Sequence, residues 1–159
     1  DAWEGGHRVP FIVSWPENIQ AGSVSDEPII HTDIISTVAT FLDIKDVKDS
    51  MVDSYDISSV LLGEKIDKPI RESLVHHSGN GTFAIRKGDW KLILGKNSGG
   101  FSNSLKIEGI PVAAEGQLYN LSNDPSEKKN LWENNPEVVS ELKALLQKYK
   151  TEGRSVSMQ

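Results

Sequence analysis

The chain of 159 residues contains no cysteine. Disulfide bonds, thiolate metal sites and cysteine nucleophiles are therefore excluded within these residues. It also lacks any apolar run approaching the roughly 18 residues that cross a bilayer, so we expect no membrane partner. The net charge is −6, without the basic excess that nucleic acid binding requires, so we expect no nucleic acid partner. A composition of 37% hydrophobic and 25% charged residues is typical of a globular domain.

The chain also lacks an initiator methionine and a lead-in segment. It opens on Asp1-Ala2-Trp3-Glu4-Gly5-Gly6-His7-Arg8, a composition typical of a loop that joins two structural elements. We therefore expect a fragment of a longer protein, cut just upstream of residue 1. No signal peptide is visible, but such a start does not allow that point to be judged.

The first part of the chain predicts a strand, a loop and a helix. Val9 to Trp15 is a short apolar run ended by Pro16, which favours a buried strand of a mostly parallel sheet. Thr32 or Asp33 can cap the helix that follows, and its predicted apolar face consists of Ile34, Ile35, Val38, Phe41 and Leu42.

The second part predicts antiparallel strands and one long helix. The strands are expected at Ser73–His77, Thr82–Arg86, Trp90–Leu94 and Gln117–Leu121, with a hairpin turn at Lys87-Gly88-Asp89. The helix begins after Asn135 at Pro136 and ends before Gly153. Its apolar stripe consists of Val138, Val139, Leu142, Leu145, Leu146 and Tyr149. The predicted fold class is α+β, with a four-stranded antiparallel sheet packed by the C-terminal helix.

Five blocks occur in the order found in one enzyme family. They are Trp3-Glu4-Gly5-Gly6-His7-Arg8-Val9-Pro10, His31-Thr32-Asp33-Ile34-Ile35-Ser36-Thr37, Asp53-Ser54-Tyr55 through Leu61-Leu62-Gly63, His76-His77-Ser78 through Trp90-Lys91-Leu92, and Gln117-Leu118-Tyr119-Asn120-Leu121 with Asp124-Pro125. The chain resembles the sulfatases, specifically the C-terminal third of bacterial arylsulfatase-A-like members. The resemblance implies that residues 1–45 end the α/β catalytic domain, 46–70 form a linker and 71–159 form the C-terminal subdomain.

The resemblance also implies the activity and cofactors of the longer protein. Such sulfatases hydrolyse sulfate esters, either aryl sulfates or sulfated carbohydrates, and use calcium and a formylglycine made from Cys or Ser. The Cys/Ser-x-Pro/Ala-x-Arg motif that carries the formylglycine is absent here. We therefore expect no catalytic residue, metal ligand or cofactor in this chain, and no activity from it alone. Its expected partners are the missing N-terminal catalytic domain and a sulfated small molecule or glycan, in a periplasmic or extracellular location.

Three histidines are the candidate substrate-binding residues. In the family, a lysine five residues before the Glu of the Glu-Gly-Gly loop binds the sulfate ester, and it would fall before residue 1. His7 then either faces the site entrance or, with Glu4 and Arg8, forms a scaffold for that lysine. His76 and His77 are neighbours on a strand and point to opposite faces, so at most one faces the core. The other either contacts a substrate or is an ordinary surface residue.

A different class of function also fits the sequence. The strands and helix between Ser73 and Tyr149 have their own core, so this region could be an autonomous carbohydrate-binding or oligomerisation module. In the long loop Gly95–Gly116, Phe101 either stacks on a sugar or belongs to a disordered segment. A phosphodiesterase or phosphonate hydrolase of the same superfamily matches the blocks less well. The exposed edges of Val9–Trp15 predict that the fragment self-associates or that this segment repacks.

Overall fold

The fold was obtained as a computed structural model, which describes residues 1–45, 50–101 and 115–156. Its helices are α1 (Glu4–His7), α2 (Asp33–Phe41), α3 (Ser58–Leu61) and α4 (Pro136–Glu152). Its strands are β1 (Leu74–His77), β2 (Phe83–Lys87), β3 (Trp90–Ile93) and β4 (Gln117–Asn120). Parts of the predicted linker (46–49) and of the predicted long loop (102–114) lie outside the described residues.

The chain divides into two compact units. Unit 1 contains residues 1–9 and 73–148, and unit 2 contains residues 10–72 and 149–159. The N-terminal residues 1–9 therefore belong with the sheet rather than with the segment that follows them. The predicted domain bounds at 45 and 70 stay a prediction.

Unit 1 is built on an antiparallel sheet in the order β1-β2-β3-β4, which confirms the predicted fold class. The hairpin between β2 and β3 turns at Gly88, whose φ of +54° suits glycine. Across the sheet, Ile85 is paired with Leu92, and Leu92 with Leu118. These three side chains share one face, because side chains alternate along each strand.

The long helix α4 lies over that apolar face. Lys87 has the same parity in β2 as Ile85, and its ammonium donates to Glu141 of α4 at 2.8 Å. The helix buries Val139, Leu142 and Leu146. Gly153 directly follows its last residue with φ +67°, as the predicted C-terminus requires.

The opposite face of the sheet is unusually polar. It carries His76, Lys91, Gln117 and Tyr119 alongside Ala84 and Ile93, as the register requires. The N-terminal segment covers this face, where Ala2 is buried with Ala84, Ile93, Tyr119 and Leu121, and Trp3 packs against them. Residues 1–9 thus close the sheet on the side that α4 leaves uncovered.

The structure corrects two expectations about the first part of the chain, most of which belongs to unit 2. Val9–Trp15 forms no strand, and Ile12 is 90% exposed. Helix α2 forms as predicted, but its apolar side chains Ile34, Ile35, Val38, Phe41 and Leu42 are exposed, whereas Asp33, Thr37 and Ala39 are buried. A strand needs neighbouring strands for its backbone hydrogen bonds, and the sheet formed by the described residues pairs β1 to β4 only with one another.

Candidate functional site

The polar face of unit 1 centres on the ammonium of Lys91, which is fully buried. Lys91 Nζ donates to Glu4 Oε1 at 2.9 Å and to His7 Nε2 at 3.2 Å. Glu127 Oε1 lies 2.8 Å from the same nitrogen, in the geometry of an ion pair rather than of an aligned hydrogen bond. We call Glu4, His7, His76, Lys91 and Glu127 the Lys91 cluster.

The short helix α1 places two members of this cluster side by side. Glu4 and His7 are three residues apart, so both side chains project to the same side of the turn. The backbone N–H of Glu4 donates to Glu127 Oε2 at 2.5 Å. Glu127 itself holds φ at +52°, which is uncommon for a residue other than glycine. The loop after β4 is therefore turned so that its carboxylate meets both Lys91 and the start of α1.

His76, on strand β1, completes the cluster. Its ring meets that of His7 edge to face, with the centroids 3.7 Å apart. Its Nε2 donates to the carbonyl oxygen of Ala2 at 3.0 Å, because a carbonyl can only accept. Its Nδ1 is buried without a hydrogen-bond partner. His7, by contrast, keeps a quarter of its side chain exposed.

The environment of the cluster keeps both histidines neutral at neutral pH. Burial, with the Lys91 ammonium acting in the same direction and the Glu4 carboxylate opposing both, lowers the pKa of His7 to about 4. Burial likewise lowers the pKa of His76 to about 4, although its bond to Ala2 opposes this. Neutral imidazoles carry one N–H donor and one acceptor each, so the hydrogen-bond partners of each ring determine which nitrogen carries the proton.

The two carboxyl groups respond differently to the same ammonium. Burial would raise the pKa of Glu4, but attraction to Lys91 and the hydrogen bond from it lower that pKa below its usual value. Burial raises the pKa of Glu127, and Lys91 offsets this only in part. The cluster therefore combines one buried cation with two carboxyl groups and has no positive excess.

Gln117 fixes the parts of the chain that border the cluster. Its side-chain oxygen accepts hydrogen bonds from Trp3 Nε1 at 2.8 Å and from the Tyr119 hydroxyl at 2.7 Å. Its amide nitrogen donates to the carbonyls of Gly95 and Asn97 at 2.6 and 3.0 Å. One buried amide thus ties the N-terminal segment to the loop after β3.

The next loop residues contact the N-terminal segment and the β1–β2 turn. The carbonyl oxygen of Ser98 accepts a hydrogen bond from the Ala2 N–H at 2.7 Å, and that of Gly99 accepts one from the Asn80 N–H at 3.2 Å. A Cβ at Gly99 would lie within 2.3–2.7 Å of side-chain oxygens of Ser78, Asn80 and Thr82, so only glycine fits there. Phe101 follows this loop and is fully exposed.

The structure brings two of the three candidate histidines together and separates the third. His7 and His76 are in ring contact, whereas His77 is exposed on the other side of β1, where its Nδ1 lies 2.8 Å from the Ser78 carbonyl oxygen. The predicted separation of His76 and His77 to opposite faces is therefore confirmed. Whether any of the three binds substrate stays a prediction.

Arg8, which was expected to form a scaffold with Glu4 and His7, is not the main partner of Glu4 in the site. Arg8 Nη1 lies 4.0 Å from Glu4 Oε2 and its side chain is mostly exposed, whereas Lys91 holds Glu4 from the interior. Sequence reasoning missed Lys91, Glu127 and Gln117. A lysine within the apolar run Trp90-Lys91-Leu92-Ile93-Leu94 was the available signal, because a charge on a buried strand requires a partner.

The described parts of the chain do not provide a metal centre. Within residues 1–45, 50–101 and 115–156, no three histidine, aspartate or glutamate side chains are grouped so as to hold a metal ion. Over the same residues, no helix has the length and hydropathy needed to cross a membrane.

A four-stranded antiparallel sheet with a C-terminal helix is the fold of sulfatase C-terminal regions. A solved structure from Bacteroides thetaiotaomicron, described in the context of the metabolism of multiple glycosaminoglycans, matches with a TM-score of 0.55 and 34% identity. The match covers 75% of this chain and 24% of that one. A protein solved in complex with its substrate D-glucosamine-2-N,6-O-disulfate shares the fold, with a TM-score of 0.60 at 23% identity over 86% of this chain and 27% of that one.

Sequence comparison gives the family. The family model described as N-sulphoglucosamine sulphohydrolase, C-terminal, matches residues 2–152, and the chain belongs to this family. The chain is 37% identical over 150 residues to the N-acetylgalactosamine-6-O-sulfatase of Bacteroides thetaiotaomicron, covering 94% of this chain and 29% of that protein. It is 30% identical to human arylsulfatase D, covering 81% of this chain and 24% of that protein. The chain thus spans less than a third of the length of these relatives.

Proposed function

We propose that this chain is the C-terminal part of a sulfatase that hydrolyses sulfate esters of carbohydrates, and that it forms one wall of the substrate cleft. The observation that carries the proposal is the family match over residues 2–152. Carbohydrate is favoured as the substrate class because the relative that matches 94% of the chain is named for N-acetylgalactosamine 6-sulfate. Aryl sulfates are the alternative ester substrates, since human arylsulfatase D is also similar.

The nucleophile and the metal would come from the remainder of the sulfatase. This chain lacks the Cys/Ser-x-Pro/Ala-x-Arg motif, and its described residues form no group of metal ligands. They therefore do not fit calcium or formylglycine, and no chemical step is assigned to them. The contribution of this chain is to position and select the sugar.

Within this chain, His7 is the proposed substrate contact, with His76 behind it. His7 is partly exposed, is held by Lys91 and remains uncharged, so it can form a directed hydrogen bond without titrating near neutral pH. His76 is more deeply buried and supports the ring of His7. His77 is on the other side of the strand, and a contact from it to the same sugar unit is disfavoured.

The exposed apolar side chains of unit 2 are the proposed contact surface for the N-terminal catalytic domain. They include the α2 face and Trp15, whose ring packs edge to face on Phe41 with centroids 5.0 Å apart. Contiguous apolar surface of this kind marks an interaction site in proteins. Periplasmic or extracellular placement of the whole sulfatase stays a further proposal from the family.

The test compares sulfate release by this chain and by the complete sulfatase that contains it. Substrates are a 6-O-sulfated N-acetylhexosamine and a generic aryl sulfate, both with calcium present. We expect release only by the complete enzyme, with the sugar preferred. Sulfate release by this chain alone would contradict the proposed division of roles, and an inactive complete enzyme on all sulfate esters would contradict the proposed reaction.

A carbohydrate-binding module is the second candidate, favoured by the closed core of unit 1. If this chain acts alone, it should bind glycans on an array, and His7→Ala or His77→Ala should weaken that binding. A lack of binding to any glycan, together with an active complete enzyme, would exclude this candidate.

A further inference from the structure

The hydrogen bonds around Lys91 determine which nitrogen of His7 carries the proton. A lysine ammonium has three donors and no acceptor. The nitrogen that faces it at 3.2 Å, His7 Nε2, must therefore present its lone pair. The single proton of a neutral His7 is then on Nδ1.

The alternative tautomer is disfavoured by the same geometry. Glu4 Oε1 lies 3.4 Å from His7 Nε2 and could accept from an Nε2–H group. That oxygen already accepts from Lys91 at 2.9 Å, and an Nε2–H group would also face the ammonium. Repulsion between two donors in a buried site is larger than the gain from a long contact.

His76 has the opposite tautomer. Its Nε2–H donates to Ala2 O, so its buried Nδ1 carries the lone pair. The two rings in contact therefore differ in the position of their protons. Lys91 determines this position for His7, and the backbone of the N-terminal segment determines it for His76.

The charges around His7 indicate what its Nδ1–H can bind. Glu4 and Glu127 both face Lys91, so the buried groups provide no positive excess to hold a sulfate. Arg8 is largely exposed at 4.0 Å from Glu4, where solvent screens it. Arg86 acts on the cluster only through longer-range charge. A neutral donor beside carboxylates suits an uncharged oxygen better than an anion.

We propose that His7 is a specificity-determining residue whose Nδ1–H donates to an uncharged oxygen of the sugar, a hydroxyl or an acetamido carbonyl, and that Lys91 is the positioning residue that sets this tautomer. The proposal rests on the proposed function for its ligand. The tautomer itself does not depend on that function.

The first experiment measures the tautomers in the 159-residue chain by long-range proton–nitrogen NMR with labelled histidine. We expect His7 to show a protonated Nδ1 and an unprotonated Nε2, and His76 to show the reverse. A protonated Nε2 on His7 in the wild-type chain would overturn the proposal. Lys91→Met should return His7 toward a mixture of tautomers, if the variant remains folded by circular dichroism.

The second experiment measures ligand binding in the complete sulfatase with two matched variants. The amide nitrogen of Asn falls near the position of Nδ1 and that of Gln near Nε2. We therefore expect His7→Asn to retain affinity for the desulfated sugar product. His7→Gln and His7→Ala should weaken that affinity about tenfold, the value of one lost hydrogen bond. Inhibition by inorganic sulfate should not change in any of the three.

The outcomes separate this proposal from the proposed function. Weaker sulfate inhibition with unchanged product affinity in His7→Ala would place His7 on the sulfate and overturn the proposal. Equal loss in His7→Asn and His7→Gln would also overturn it. No sulfate release by the wild-type complete enzyme would overturn the proposed function while leaving the measured tautomers intact.

Discussion

The two units of this chain differ in the exposure of their large apolar side chains, which unit 1 mostly buries and unit 2 mostly exposes. Unit 1 buries Ile85, Leu92, Ile93, Leu118, Tyr119, Leu142 and Leu146 almost completely. In unit 2, the buried hydrophobic residues of the described ranges are Ala39 and Ile57. The exposed large hydrophobic residues, apart from Val9 and Phe101, all belong to unit 2. Unit 1 is therefore complete as a hydrophobic core, whereas unit 2 exposes the surface that a core would use.

Both units nevertheless contain a buried charged centre. In unit 2, the Asp33 carboxylate accepts from the backbone of Ile30 at 2.8 Å and of Tyr55 at 3.0 Å, and it pairs with Arg71. The Arg71 guanidinium also lies 4.6 Å above the Tyr55 ring. The contacts of Asp33 with Ile30, Tyr55 and Arg71 thus stabilise the interior of unit 2, and they do not involve its exposed apolar side chains. Local order and hydrophobic burial are separate contributions in this protein.

The largest expected effect is the removal of the cation of unit 1. Lys91→Met leaves two buried carboxyl groups without their partner, and breaking a buried pair in this way costs about 3–5 kcal/mol. Lys87→Met is the matched control, because Lys87 is on the same sheet but its ion pair with Glu141 is exposed, which is worth about 0–1 kcal/mol. Denaturant unfolding of both variants measures the difference. Equal losses would show that the Lys91 cluster does not stabilise unit 1.

Removing the buried cation of unit 2, Arg71, should increase hydrogen exchange at backbone amides of that unit. Arg71→Met leaves Asp33 buried without its counter-charge, with an expected cost of about 3–5 kcal/mol. Hydrogen exchange should then rise at Ile30 and Tyr55, whose N–H groups donate to Asp33. Unchanged exchange at these two amides would mean that Asp33 is held without Arg71.

Acid should destabilise unit 1 through its two histidines. Their pKa values fall from about 6.5 in the unfolded chain to about 4 in the folded chain. Between these values the unfolded chain binds more protons, so the free energy of unfolding decreases as the pH falls from 7 to 4. One pKa unit corresponds to about 1.4 kcal/mol, so the loss is on the order of 3 kcal/mol for each histidine.

The carboxyl groups modify this dependence at its acid end. Because the pKa of Glu127 is raised, the folded chain binds a proton at this group above the normal range of glutamate titration. As the pH falls through that range, Glu127 therefore stabilises the folded chain and opposes the loss. The lowered pKa of Glu4 adds to the loss below pH 4.5. Unfolding monitored from pH 8 to 4 measures the slope. His7→Asn should remove about half of the histidine-dependent loss, and an unchanged slope would contradict the assignment.

A smaller effect is expected from the exposed face of α2. Ile35→Asp should change the stability of this chain by less than about 0.5 kcal/mol, because Ile35 is exposed, while reducing self-association. Leu142→Asp in α4 is the control, and burial of its carboxylate should unfold unit 1. Sedimentation velocity and thermal unfolding distinguish the two. Strong destabilisation by Ile35→Asp would show that this face is already covered in the chain.

The smallest effect concerns the end of α4. Gly153 has φ +67°, so Gly153→Ala should cost about 1 kcal/mol through backbone strain, although no atom lies within 4 Å of the added Cβ. Gly79→Ala is the control, because its site is equally open and its φ is not positive. Thermal unfolding of the two variants should differ by a few degrees. Equal melting temperatures would show that the helix end tolerates alanine.

Much of unit 1 was predictable because its signals are local. Period-two apolar residues, the Gly88 turn and the Pro136–Gly153 helix limits predicted the sheet and α4, and the ordered blocks predicted the family. The Lys91 cluster was not predictable, because its contacts join residues as far apart as Glu4 and Glu127. Pairing of a buried lysine can be expected from its strand, but its partners depend on which loop covers that face.

The sequence by itself determined the elements of unit 1, the family and the separation of His76 from His77, since these follow from periodicity and residue order. Only the tertiary structure decided that residues 1–9 cover the polar face of the sheet and that the apolar faces of 9–15 and α2 remain exposed. The physical reason is that burial is a property of two surfaces in contact. A sequence pattern identifies an apolar face that burial would stabilise, whereas the folded structure determines whether another surface packs against that face.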